Sequence, residues 1–81
     1  MPRYFFDVKD GPTERRDEVG EELEGLNAAR NAATKLSSEL LAAFPDRFWS
    51  VGEWNVTVRD ETGLILFVLH FFAVKGAAAL D

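Results

Sequence analysis

Hydrophobic and polar positions alternate from the start of the chain. Tyr4, Phe6 and Val8 fall on one side of an extended backbone and Phe5, Asp7 and Lys9 on the other, the two-residue period of a half-buried strand over Arg3–Asp10. Asp10-Gly11-Pro12 follows as a turn, because glycine tolerates positive φ and proline presets its own. Residues 13–23 are polar and weakly patterned, with Val19 and Leu23 their only large apolar side chains. A short edge strand over 13–17 and a turn at Gly20 fit them, charge on an edge strand discouraging unwanted pairing. From Leu26 the period lengthens: Leu26, Ala29, Ala33, Leu36, Leu40 and Phe44 recur at spacings of three and four, one apolar stripe of a helix over 26–44. Gly25 is a weak N-cap, and Pro45 ends the helix by biasing Phe44 away from helical geometry. Residues 46–52, with Phe48 and Trp49, read as a loop. Trp54, Val56 and Val58 then alternate with Asn55, Thr57 and Arg59 in a strand over 53–60.

After the turn Asp60-Glu61-Thr62-Gly63, the stretch 64–74 (LILFVLHFFAV) is apolar on both faces apart from His70. Its β-branched and aromatic side chains favour a strand, and it is far short of the roughly 20 apolar residues that cross a bilayer. The predicted fold is therefore α+β: two layers, an antiparallel four-stranded sheet with one helix packed on one face, in the order β-β-α-β-β. One domain spans 1–81, with 75–81 a flexible tail.

The last hairpin has two readings. A three-residue loop sets Asp60 opposite Leu64 and sends Leu66, Val68 and His70 to the face of Trp54, Val56 and Val58. A four-residue loop sends Ile65, Phe67 and Leu69 there instead, since a slip of one residue exchanges the faces of a strand. Either way one apolar row points away from the helix. Such patches in soluble proteins mark interfaces, and two-fold homodimers are the commonest oligomers. The expectation is a homodimer associating through its last strand, with Phe5, Ile65, Phe67, Leu69 and Phe71 as its interface.

Composition narrows the function further. The net charge is −5, from 14 acidic and nine basic residues, and the basic ones are scattered. That disfavours nucleic acid and anionic membrane surfaces, which call for a basic patch. There is no cysteine, which removes thiolate chemistry and disulfides together. The opening residues lack a signal peptide's basic region and long apolar core, so a cytoplasmic protein is expected.

Candidate chemistry is sparse. His70 is the only histidine, and its nearest carboxylates in sequence, Asp60 and Glu61, lie at the far end of the hairpin. Asp17, Glu18, Glu21, Glu22 and Glu24 form an acidic run without the spaced ligands and central glycine of a calcium loop, so it reads as solvated surface. No phosphate-binding loop and no nucleophile elbow is present. No catalytic residue, cofactor or metal is expected. The alternative to an interaction module is a small-molecule or peptide binding site built on Phe48, Trp49 and Trp54, with His70, because pockets are largely apolar and aromatic.

The segments Arg3-Tyr4-Phe5-Phe6-Asp7-Val8, Asp10-Gly11, Asp17-Glu18-Val19-Gly20-Glu21-Glu22-Leu23 and Leu26 through Ala28-Ala29-Arg30 resemble a family of small bacterial proteins known as domain of unknown function six-eight-nine-four. Trp54-Asn55-Val56 and the turn at residues 60–63 are similar to that family's last hairpin. The resemblance covers nearly the whole chain. It departs at Asp7, where histidine is frequent, at the Gly25 helix cap, where aspartate is frequent, and in a more apolar final strand. It implies a bacterial cytoplasmic origin and carries no activity, cofactor or catalytic residue.

Overall fold

A computed structural model describes residues 1–79. Five strands and two helices follow one another as β1 (Arg3–Asp10), β2 (Thr13–Arg15), β3 (Glu21–Glu22), α1 (Leu26–Ala43), α2 (Pro45–Val51), β4 (Glu53–Arg59) and β5 (Ile65–Phe72). The expected α+β fold is present, with strands pairing antiparallel in the order β2-β1-β4-β5. The tail expected over 75–81 contains a single 3₁₀ turn at Ala77–Ala79; residues 80 and 81 lie outside the described residues.

One face of the sheet carries the core. Tyr4, Val56 and Val58 are buried with Ala29 and Ala33 of α1, and Phe6, Val8, Leu36, Leu66, Phe67 and Leu69 pack around them. The two alanines, fully buried, let the helix axis approach the sheet closely. The outer ends of the predicted helical stripe are not inside: Leu26 and Phe44 are 54% and 48% exposed. Ser37 is buried in their stead, its Oγ donating to the Ala33 carbonyl at 2.8 Å. That local bond satisfies a buried hydroxyl.

Three further features differ from the sequence reading. Residues 45–51 are helical, not a loop. Pro45 stands in the first turn, where its missing N–H costs nothing. Gly52, at φ 86°, closes the helix by donating its N–H to the Phe48 carbonyl, the left-handed residue that a helix end favours. Second, β3 is a two-residue strand beside the start of β1 (Arg3↔Glu22, Tyr4↔Glu21), whereas β2 pairs only with the end of β1 (Val8↔Arg15 to Asp10↔Thr13). Residues 16–20 cross the gap, with Gly20 at φ 74°. A Cβ there would fall 2.8 Å from the Phe5 ring, so only glycine fits without displacement.

Third, the last hairpin starts in the three-residue-loop register and then leaves it for one that neither loop gives, although Phe67 and Leu69 reach the face that the four-residue loop assigned to them. Asp60 N donates to the Leu64 carbonyl and Arg59 pairs with Ile65, as the three-residue loop requires. Between Arg59 and Val58 the register slips, and Val58 pairs with Phe67. Leu66 is the extra residue of a β-bulge. Both Leu66 and Phe67 consequently pack toward the core, while Ile65 points away, 65% exposed.

Candidate functional site

The bulge decides which side chains of β5 are available. Beyond it, Phe67, Leu69 and Phe71 pair with Val58, Val56 and Trp54 and share their helix-covered face. Three of the residues expected to point outward are therefore on the core side: Phe67, Leu69 and Phe71 are half-buried, the first two packed on the core. Phe5 does lie on the open face, but the Arg59 guanidinium covers its ring at 4.6 Å. Of the five predicted interface residues, Ile65 alone is an exposed member of the open face. The row there is Ile65, Val68, His70 and Phe72, with Val68 and Phe72 55% and 69% exposed. Leu64 and Val74, at either end, are also exposed.

The main chain of β5 reinforces this selection. Ala73 N donates to the Gly52 carbonyl at 3.0 Å, one rung beyond the Trp54↔Phe71 and Val56↔Leu69 pairs. Residues that bond to a neighbour alternate along an antiparallel strand. Leu69 and Phe71 thus turn their N–H and C=O groups toward β4, and Val68, His70 and Phe72 turn theirs outward, where β5 forms the rim of the sheet. The residues that expose their side chains are those that expose their backbone. Ile65–Phe72 contains no Lys, Arg, Asp or Glu, the residues that ordinarily blunt an open edge.

His70 is joined to the sheet by one polar contact, Nε2 lying 3.3 Å from Glu53 Oε2, and its ring is tilted against Phe72 at 6.0 Å. Both partners of the polar contact are largely exposed. The Phe48–Trp49–Trp54 cluster is elsewhere. Phe48 packs edge-on to Trp49 at 6.2 Å and to Trp54 at 5.7 Å. Trp54 is buried on the helix side of the sheet and His70, opposite Asn55, is on the other. The four residues expected to line one pocket are thus divided by the sheet: the aromatics pack on one another and His70 faces away.

A depression of about 250 Å³ on the open face is bordered by Asp7, Lys9, Arg16, Thr57, Arg59 and Ile65. Asp7 and Arg59, which face each other in it, are committed to holding the fold together. Arg59 donates from Nε to Asp7 Oδ2 at 2.8 Å and from Nη2 to the Asp17 carbonyl at 2.7 Å. Asp7 Oδ1 accepts the Asp17 N–H at 2.8 Å. Asp17 in turn accepts from Phe6 N with one oxygen and from Val19 N and Gly20 N with the other. Burial opposes ionisation of Asp17, but the N–H groups of Gly20, Phe6 and Val19, with Arg59 nearby, outweigh it and hold its carboxyl below the usual range. Carboxylates whose lone pairs are so occupied are poor bases and poor metal ligands. Among the described residues, no three acidic or histidine side chains gather as a metal site.

Asp10, 5% exposed, is the other buried carboxylate. Arg47 of α2 reaches it at 2.7 Å and holds it below the usual carboxylate range against the opposing effect of burial. The acidic run retains Glu18, Glu21, Glu22 and Glu24 at the surface, while Asp17 turns inward. Sequence reasoning missed both carboxylate–arginine pairs. Alternation does place Asp7 and Arg59 on the same sheet face, a signal that could have found one of them.

No helix among the described residues is long and apolar enough to cross a membrane. No curated protein and no solved structure matches the chain. Residues 3–73 match the family model described as domain of unknown function DUF6894, which covers every strand and both helices. On that match the chain belongs to the DUF6894 family.

Proposed function

We propose that this protein is a non-catalytic homodimeric interaction module of the cytoplasm, joined to its own copy through β5 and working without a cofactor. The observation that carries the reading is the rim of the sheet. Ile65, Val68 and Phe72 expose large apolar side chains on a strand whose outer edge pairs with no other strand among the described residues. Apolar exposure of this kind is what an interface buries, and an unpaired edge is a template for another strand. Across β1 and β4 the open face carries Lys9, Asn55, Thr57 and Arg59, and its one large apolar side chain there, Phe5, lies under the Arg59 guanidinium. The sticky surface is therefore a stripe along one edge and suits pairing of edges better than stacking of whole faces. The occupied carboxylates support a role without catalysis, and the net charge of −5 supports protein over nucleic acid as the partner.

Light scattering of the purified chain at micromolar concentration tests this. The expected mass is about twice the 9.1 kDa of one chain. Val68→Lys and Phe72→Lys, both at exposed positions, should give folded monomers with an unchanged circular dichroism spectrum. A monomeric native chain overturns the reading.

A further inference from the structure

The free edge of β5 is self-complementary about one residue. Val68, His70 and Phe72 turn side chains to the open face and main-chain groups to the rim, and His70 stands midway between the two exposed apolar side chains. We infer that two copies join by antiparallel pairing of β5 with β5 about a two-fold axis at His70, making one continuous sheet across the dimer. This rests on the dimer reading above and adds its register.

Directly opposed residues of an antiparallel pair share a face, and a two-fold axis through the ladder sets one residue opposite its own copy. Four centres fall on the regular part of the strand, and an axis at Phe71 pairs outward-facing residues within β5 only as His70 with the partner's Phe72, Val68 falling opposite the partner's Val74 beyond the strand end. An axis at Val68 or at Leu69 brings the bulged Leu66 into the new ladder, opposite His70 or Phe72 of the partner subunit, where its main chain is out of phase. An axis at His70 uses only regular positions and keeps three opposed pairs within β5. Val68 meets the partner's Phe72, His70 meets the partner's His70, and Phe72 meets the partner's Val68, each pair exchanging two main-chain hydrogen bonds. The same register sets Leu69 against the partner's Phe71 on the helix side. Apolar side chains are then matched on both faces, a pairing that stabilises neighbouring strands. Each His70 keeps its own Glu53, 3.3 Å away on β4, and no Lys or Arg of β5 stands in the new ladder.

The absence of native cysteine makes cross-linking a direct test. Opposed residues in a hydrogen-bonded pair lie about 5.5 Å apart between Cα atoms, within the roughly 4.4–6.8 Å span of a disulfide. His70→Cys should oxidise to a covalent dimer. Val68→Cys and Phe72→Cys should each stay uncoupled alone and cross-link when mixed. All three positions are exposed, so folding is not at risk, and circular dichroism checks it. Self-linking of Val68→Cys or of Leu69→Cys in place of His70→Cys overturns this register and leaves β5 pairing standing. Self-linking of Phe71→Cys likewise overturns this register, and a native dimer in which none of positions 68 to 72 links overturns β5 as the interface. A native monomer overturns the dimer reading itself.

Discussion

Asp17 Oδ2 accepts the backbone N–H of Phe6 at 3.1 Å, at the stretch of β1 that neither β2 nor β3 reaches. A side chain thus supplies a rung that the backbone ladder lacks. The other carboxylate oxygen fixes the turn at Val19 and Gly20 and so delivers β3 to the start of β1. Removing the carboxylate strands these donors together. Asp17→Ala is expected to lower the unfolding free energy by about 1.5–3 kcal/mol, the range for bonds to a charged acceptor. Asp17→Asn, which retains one good acceptor, should cost less. Urea unfolding followed by circular dichroism measures both, and equal losses from the two variants would argue against this role.

Arg59 ties β4 to that same edge. Its pair with Asp7 is 2.8 Å long, and both side chains are 11% exposed, so neither charge can recover much solvation when the other is removed. Arg59→Ala should cost about 3–5 kcal/mol, as for other broken buried pairs. Arg59→Lys should recover only part of it, because an ammonium cannot bond the Asp7 carboxylate and the Asp17 carbonyl with the same planar fork. A cycle with Asp7→Asn should show strong non-additivity, the double variant losing clearly less than the two singles combined. Additive losses would mean that the pair is not coupled.

The strands β1 and β4 and the helix α1 were legible in the sequence because each buries one face, and burying one face writes a period. The short strand β3 wrote none: two exposed glutamates hold their place by Asp17 and Gly20, not by burial. In β5 both faces are apolar, so periodicity cannot orient it, and the bulge at Leu66 sends its two ends to opposite registers. That single residue explains why Phe67, Leu69 and Phe71 turn inward and Val68 and Phe72 outward. The aromatic cluster was legible as a grouping in the chain, but the sheet that separates Trp54 from His70 was not.

The depressed carboxylates make the fold acid-sensitive. Arg47 bonding at Asp10, and the N–H groups that outweigh burial at Asp17, hold both groups below the ordinary value of 3.8. A carboxyl that is more acidic folded than unfolded contributes stability that is complete above the unfolded value and disappears as pH falls through the folded one. The urea midpoint is therefore expected to be flat from neutrality down to about pH 5 and to fall steadily below it. Arg47→Gln should flatten part of that fall by removing the main cause at Asp10. A midpoint that rises on acidification would contradict this assignment.

Trp54 is buried at 4% exposure, and its Nε1 has no hydrogen-bond partner among the described residues. An orphaned buried donor costs about 1–3 kcal/mol, so the indole contributes packing against Phe48 at a polar cost. Trp54→Phe keeps an aromatic ring facing Phe48 and removes the orphan, at the expense of some buried volume. The two effects oppose each other, and the variant is expected within about 1 kcal/mol of the native chain. Trp54→Ala removes the ring altogether and should cost about 3–5 kcal/mol. Urea unfolding of both variants checks the pair. A loss for Trp54→Phe close to that for Trp54→Ala would mean that the indole N–H makes a bond in solution, with water as its acceptor.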